Sequence, residues 1–168
     1  MKIDNPSFSV DAASWMRKLI TSSRHRQVEV FDLNSLFIPR HFGPKTGIQR
    51  PNTNADIETY FGDVNAPVDI VCVDGQAFPT RAELSRIAGL AGEVLDKDGY
   101  LTVLGTFLHP ARLVNLELRA NHIPTQVHTS PDGRNEIYGF PRQALGHIDG
   151  INPISRVNLS KLVRRTGD

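Results

Sequence analysis

The sequence predicts a three-layer α/β domain whose sheet is mostly parallel and closes with an antiparallel hairpin, and three features lead there. Val68 to Val73 (VDIVCV) is a nearly continuous apolar run rich in β-branched residues, as in a strand covered on both faces. A helical stripe follows, and then a second apolar strand over Tyr100–Phe107 (YLTVLGTF), so the order is strand, helix, strand, the right-handed crossover unit of parallel sheets. Finally, Thr125–Thr129 and Glu136–Phe140 flank the turn residues Pro131, Asp132 and Gly133, which reads as an antiparallel hairpin at the sheet edge.

From the N-terminus, Asp11 to Ser22 places Ala12, Trp15, Met16, Leu19 and Ile20 on one helical stripe, with Ser9 or Asp11 as N-cap. Gln27 to Leu33 (QVEVFDL) reads as a short strand that ends at Asp32. Between Pro39 and Asn54 the chain collects Pro39, Gly43, Pro44, Gly47 and Pro51, which interrupt regular hydrogen bonding and predict a long loop. Thr53 or Asn54 then caps a short helix through Tyr60, stopped by Gly62. After the VDIVCV strand, which ends at Asp74-Gly75, Thr80 and Glu83 form a capping-box pattern ahead of Leu84, Ile87, Ala88, Ala91, Val94 and Leu95. The DKDG stretch, Asp96–Gly99, predicts a turn in which Gly99 supplies positive φ. Pro110 suits the first turn of a further helix carrying Leu113, Val114, Leu116 and Leu118, which ends by Pro124. Residues 1–141 therefore read as one domain. Arg142 to Asp168 reads as a polar, mildly basic tail whose SKLVRR segment is a short helix.

Composition agrees with a single globular domain. A chain of 168 residues with 39% hydrophobic content is long enough to bury roughly 70% of its unfolded surface. With 19 basic against 18 acidic residues the formal net charge is +1, so no overall field draws in nucleic acid and any basic patch is local. Arg24, His25 and Arg26, with Arg40, His41, Lys45 and Arg50 of the loop, would form one that contacts phosphates if the fold gathers them, against the commoner outcome of a solvated basic edge. Cys72, the single cysteine, cannot form an internal disulfide, and between Val71 and Val73 it reads as a small buried hydrophobe. His25, His41, His109, His122, His128 and His147 show no paired ligand spacing, so no metal is expected. No GxSxG or P-loop is present. The N-terminus lacks an apolar h-region, and there is no run of about 18 apolar residues. The expectation is a soluble, cytoplasmic protein with no membrane association.

The order of an Asp-terminated strand, crossover helix, DKDG turn, strand, helix and terminal hairpin resembles the C-terminal half of class I S-adenosylmethionine-dependent methyltransferases, a Rossmann-like fold. LDKDGYLTVLGTF is similar to their LKPGGxLVV element. Within that superfamily the sequence looks most like RNA ribose 2′-O-methyltransferases of the ribosomal and viral cap type, which carry a Lys-Asp-Lys-Glu tetrad. The resemblance implies catalytic roles for Asp74 at the end of VDIVCVD, for Glu136 in RNEIYGF, and for Lys18 in AASWMRKL. It implies S-adenosylmethionine as cofactor, bound through Asp32, Asp63, Asp74 and Gly75. In such a tetrad a lysine of depressed pKa, held by flanking carboxylates, orients or deprotonates a ribose hydroxyl for attack on the sulfonium methyl.

The sequence departs from that pattern at defined positions. Where the family's central Lys falls it has Leu104 or Gly105, and QVEVFDLNSLFIPRHFG contains no GxGxG. The interval from Leu33 to Pro67 is also short for the two further strands the family fits there, so the N-terminal half reads as truncated. Two readings follow. One is a small S-adenosylmethionine-dependent methyltransferase acting on RNA. The other is a catalytically inactive methyltransferase-like subunit that assembles with a protein partner or nucleic acid.

Overall fold

β-Branched and aromatic residues build the sheet, and their alternation sorts its two faces. The computed structural model describes residues 6–20, 28–33, 46–50, 56–106 and 109–149. Among these the order is α1 (Pro6–Leu19), β1 (Val28–Leu33), β2 (Thr46–Gln49), α2 (Ile57–Gly62), β3 (Val68–Asp74), a 3₁₀ turn (Gly75–Ala77), α3 (Arg81–Val94), β4 (Leu95–Thr106), α4 (Pro110–Ala120), β5 (Gln126–Thr129), β6 (Asn135–Pro141) and α5 (Arg142–Asp149). The strands form one six-stranded sheet in the order β2-β1-β3-β4-β6-β5. β2, β1, β3 and β4 run parallel, while β6 is antiparallel to both β4 and β5. This is the α/β architecture with a mostly parallel sheet and an antiparallel C-terminal hairpin that the sequence predicts.

Successive side chains of a strand point to opposite faces. Val71 and Val73 of β3, Leu101 and Val103 of β4, and Tyr138 and Phe140 of β6 pack with α2, α3, α4 and α5. Val30, Ile70, Cys72, Leu104 and Ile137 pack on the other face against Ala12, Ala13, Met16 and Ile20 of α1. Among the described residues the result is three layers, with α2, α3, α4 and α5 on one side and α1 on the other. β3 is buried along its length up to Asp74, as its nearly continuous apolar run requires, and the one charged residue inside it, Asp69, accepts the Glu29 N–H at 2.8 Å.

α3 follows its sequence signals closely. The Thr80 hydroxyl accepts from the Glu83 N–H at 3.2 Å, and Leu84, Ile87, Ala88, Ala91 and Val94 form the buried stripe. The hairpin also forms as expected, with Gly133 at φ 73 in its turn. α2 is capped by Asp56, whose carboxylate accepts from the Thr59 N–H at 2.9 Å, rather than by Thr53 or Asn54. The stripe expected from Asp11 lies within α1, whose described residues run from Pro6 to Leu19, so Ser9 and Asp11 are inside the helix rather than at its cap.

Three expectations are corrected. The Pro-rich interval expected to be a loop contains the strand β2, which pairs in parallel with β1 from Val28↔Thr46 to Phe31↔Gln49. An edge strand this short needs only one ladder and shows too little alternation to announce itself. Asp96–Gly99 is not a free turn. Val68 pairs with Leu95 and Ile70 with Tyr100, so these residues bulge within β4. Gly99 serves a close approach there, since a Cβ would stand 2.9 Å from the Asp69 carbonyl oxygen. Arg142, expected to open a polar tail, instead opens α5, which buries Ala144, Leu145 and Ile148 in the core. The packed domain thus extends past residue 141. Residues 150–168, including SKLVRR, lie outside the described residues.

Candidate functional site

The strand order reverses between β1 and β3. From β1 the chain steps outward to β2, then crosses back past β1 to β3 and continues outward through β4. In open α/β sheets the connections on either side of such a reversal diverge, leaving a crevice beyond the carboxyl ends of the two strands. Here those ends carry Asp32 and Asp74. Asp32 is opposite Cys72, two positions short of Asp74 on the neighbouring strand. By alternation both acids belong to the α1 face, since Asp32 continues Val30 and Asp74 continues Ile70 and Cys72.

Asp74 is partly buried and closes β3, and its Oδ1 accepts the Gln76 N–H at 3.0 Å to cap the 3₁₀ turn. Gly75 follows with its Cα pressed against β4, where a Cβ would collide with the Leu104 carbonyl and stand 2.9 Å from His109 Nε2. Asp32 differs from its expected place at a strand terminus. Its side chain is fully buried, and it accepts from Nε of Arg50 at 3.0 Å, a guanidinium left 45% exposed just past the end of β2. A carboxylate so buried requires such a partner.

The remaining predicted residues do not converge on this crevice. Glu136 reaches the same edge of the sheet, paired with Gly105 of β4 while Asp74 pairs with Leu104. Two strand spacings, about 10 Å, separate them. Alternation from Tyr138 and Phe140 turns Glu136 toward the face opposite Asp74. Lys18 is exposed, and at 100° per residue it lies on the far side of α1 from the buried Met16. Asp63 is the exposed C-cap of α2, its N–H on the Thr59 and Tyr60 carbonyls. The same loop is tied to the β2 edge by the Asn65 N–H bonding to Gln49 Oε1 at 2.8 Å. Among the described residues the lysines are Lys18 and Lys97, and Lys97 lies near the start of β4, at the other end of the sheet. Of the basic patch only Arg50 is described, and it serves Asp32.

Three residues of the site region take partners from segments distant in the sequence. His109, 8% exposed, caps α4 through Nδ1 and reaches the carbonyls of Gly75 and Phe78 through Nε2. Arg81 makes a bidentate ion pair with Glu117, whose side chain is 1% exposed, and so ties the start of α3 to α4. A histidine just before a Pro at a helix start is a recognisable cap position, but the distant partners of all three are not encoded locally. Cys72 behaves as expected. It is buried beside Thr102 Oγ1 at 3.3 Å and Met16 Sδ at 3.7 Å, and burial pushes its thiol up to about 12. A groove of about 440 Å³ between α3 and α5, lined by Gly92, Lys97, Arg142 and Gln143 among others, contains none of these residues.

No protein-family profile and no curated protein matches the chain. Solved structures do. An O-methyltransferase family protein from Burkholderia thailandensis aligns at 14% identity and a TM-score of 0.49, covering 81% of this chain and 56% of that one. Haemonchus contortus phosphoethanolamine N-methyltransferase 2, solved with S-adenosyl-L-methionine, aligns at 11% identity and 0.48, covering 94% and 41%. Human methyltransferase-like protein 13, solved with S-adenosylhomocysteine (SAH), aligns at 15% identity and 0.46, covering 95% and 89%. The chain thus spans about half the length of the first two.

Proposed function

We propose that the chain is an S-adenosylmethionine-binding domain of the methyltransferase type, with the cofactor lying along the carboxyl edge of β1 and β3. The observation that carries this reading is the reversal of strand order between two strands that carry acids on one face, Asp74 at the carboxyl end of β3 and Asp32 one residue before that of β1. The side chains there fit an amino-acid nucleoside. Asp74, partly exposed at the rim, is an acceptor for ribose hydroxyls or an ammonium group, and the half-exposed Arg50 is a donor for a carboxylate. When bound, the cofactor supplies an electrophilic methyl group on sulfur. The chain's own contribution is to orient that group and to exclude water from the crevice.

The geometry does not favour an RNA ribose acceptor handled by a tetrad. Asp74 and Glu136 alternate to opposite faces, Lys18 faces away from the sheet, and His109 Cβ would stand 2.8 Å from any Cβ at position 105. A second reading has one observation in its favour: Asp32, expected to bind the cofactor, is already paired with Arg50. On that reading the domain is a catalytically silent subunit that binds a protein or nucleic acid partner.

Calorimetric titration with S-adenosylmethionine and SAH tests the proposal. Saturable heat below millimolar ligand, weakened about tenfold in Asp74→Asn through loss of a charge-assisted bond, is expected. Absence of heat with the wild-type chain sinks it. Saturable heat together with transfer of a labelled methyl group to a trial acceptor selects the enzyme. Heat without transfer to RNA, protein or small-molecule acceptors, in a chain that light scattering finds assembled with a partner, selects the silent subunit.

A further inference from the structure

His109 is too well used to be only a helix cap. Its Nδ1 accepts the Ala111 N–H at 3.0 Å, so that nitrogen carries no proton. The ring proton therefore sits on Nε2, which lies 2.9 Å from the Gly75 carbonyl and 3.0 Å from that of Phe78 and donates to this pair. Capping alone does not call for histidine, because Asn, Asp and Ser cap better. What histidine adds is reach, from the start of α4 back to the loop after β3.

The surrounding chain gives way to seat the ring. A Cβ at Gly75 would stand 2.9 Å from Nε2, and one at Gly105 would stand 2.8 Å from His109 Cβ. The Gly75 carbonyl also accepts the Phe78 N–H at 3.1 Å, so both of its acceptor positions are filled. Asp74 caps this same turn through the Gln76 N–H, which ties the direction of its carboxylate to the placement of Gly75–Phe78. We infer that His109 is a positioning residue: through Nε2 it straps the Asp74–Phe78 loop against β4 and thereby sets where the Asp74 carboxylate points. The effect on ligand binding rests on the cofactor reading above, whereas the strap itself does not.

Two substitutions separate the strap from the cap. Asn places a carbonyl oxygen near the position of Nδ1 and keeps the cap, while Gln places an amide nitrogen near Nε2 and keeps the strap. For His109→Asn, melting close to wild type is expected, with faster amide exchange at Gln76–Phe78 and an SAH Kd raised about tenfold, the worth of a buried hydrogen bond to a loop carbonyl. For His109→Gln, a lower melting temperature is expected, with wild-type loop exchange and a Kd within about threefold. The opposite ordering of affinity and stability in the two variants is the signature, since a purely structural role makes affinity follow stability. Affinity that tracks melting temperature in both variants, or wild-type exchange and affinity in His109→Asn, overturns the inference. Should the wild-type chain not bind SAH, the cofactor reading fails. Exchange at Gln76–Phe78 then still decides: faster in Asn but not Gln supports the strap, and unchanged in both refutes it.

Discussion

Gly105→Ala probes the packing of the site with one added methyl group. Gly in a strand interior is unfavourable by itself, and replacing it with Ala is worth roughly 0.5–1 kcal/mol in favour of the variant where the backbone is undisturbed. At position 105 the new Cβ would stand 2.8 Å from His109 Cβ and 3.0 Å from its Cγ, so the ring must shift. The ring is held by three backbone groups, and β4 is paired on both sides with β3 and β6. Overpacking of so constrained a site costs about 1–3 kcal/mol, which outweighs the entropic gain. A net loss near 1–2 kcal/mol is expected, lowering the melting temperature by about 2–8 °C for a domain of this size. Circular-dichroism melts and urea unfolding measure it. The decisive comparison is the cycle with His109→Ala. Removing the ring removes the clash, so the double variant should recover about 1 kcal/mol or more relative to the sum of the singles. Additivity within about 0.5 kcal/mol, or a Gly105→Ala protein more stable than wild type, would refute the placement of His109 against β4.

Arg81→Met leaves the Glu117 carboxylate buried between α3 and α4 without its bidentate partner. A loss of about 3–5 kcal/mol in urea unfolding is expected, with Glu117→Gln milder because it removes the charge too. His128 stacks on Trp15 with ring centroids 5.4 Å apart. Burial holds its pKa below the ordinary 6.5, against an opposing pull from Asp11. Between the folded and unfolded values the unfolded chain binds more protons, so this contribution is fully present above about pH 6.5 and is lost as pH falls toward the folded value. The pH dependence of melting between pH 7 and pH 5 should flatten in His128→Phe, and an unchanged slope would remove His128 as its source. Cys72, its thiol pushed up to about 12 by burial, should resist thiol-specific reagents at pH 8 in the native state and react once the chain is unfolded. Prompt modification without unfolding would contradict its burial.

Much of the fold is legible in the residues themselves because it is written in local periodicity. The nearly continuous apolar run of β3, the Thr80 cap and five-residue stripe of α3, and the Gly133 turn each state their own conformation within a short window. α5 was harder to read, since its packed face is only Ala144, Leu145 and Ile148 among polar residues. β2 offered four residues between glycines and prolines. Both exist because of what they pack against. The site follows the same division. That Asp74 ends a strand is plain from VDIVCVD, and Gly75 beside it marks a turn. By itself, then, the sequence determined the elements around the crevice and one of its acids. Only the tertiary structure decided that Asp32 is held by Arg50, that Glu136 alternates away from Asp74, that Lys18 faces outward, and that His109 reaches across 34 residues to Gly75. The physical reason is that periodicity records which side of an element is buried, whereas side-chain partners depend on strand order and register, which only long-range packing sets.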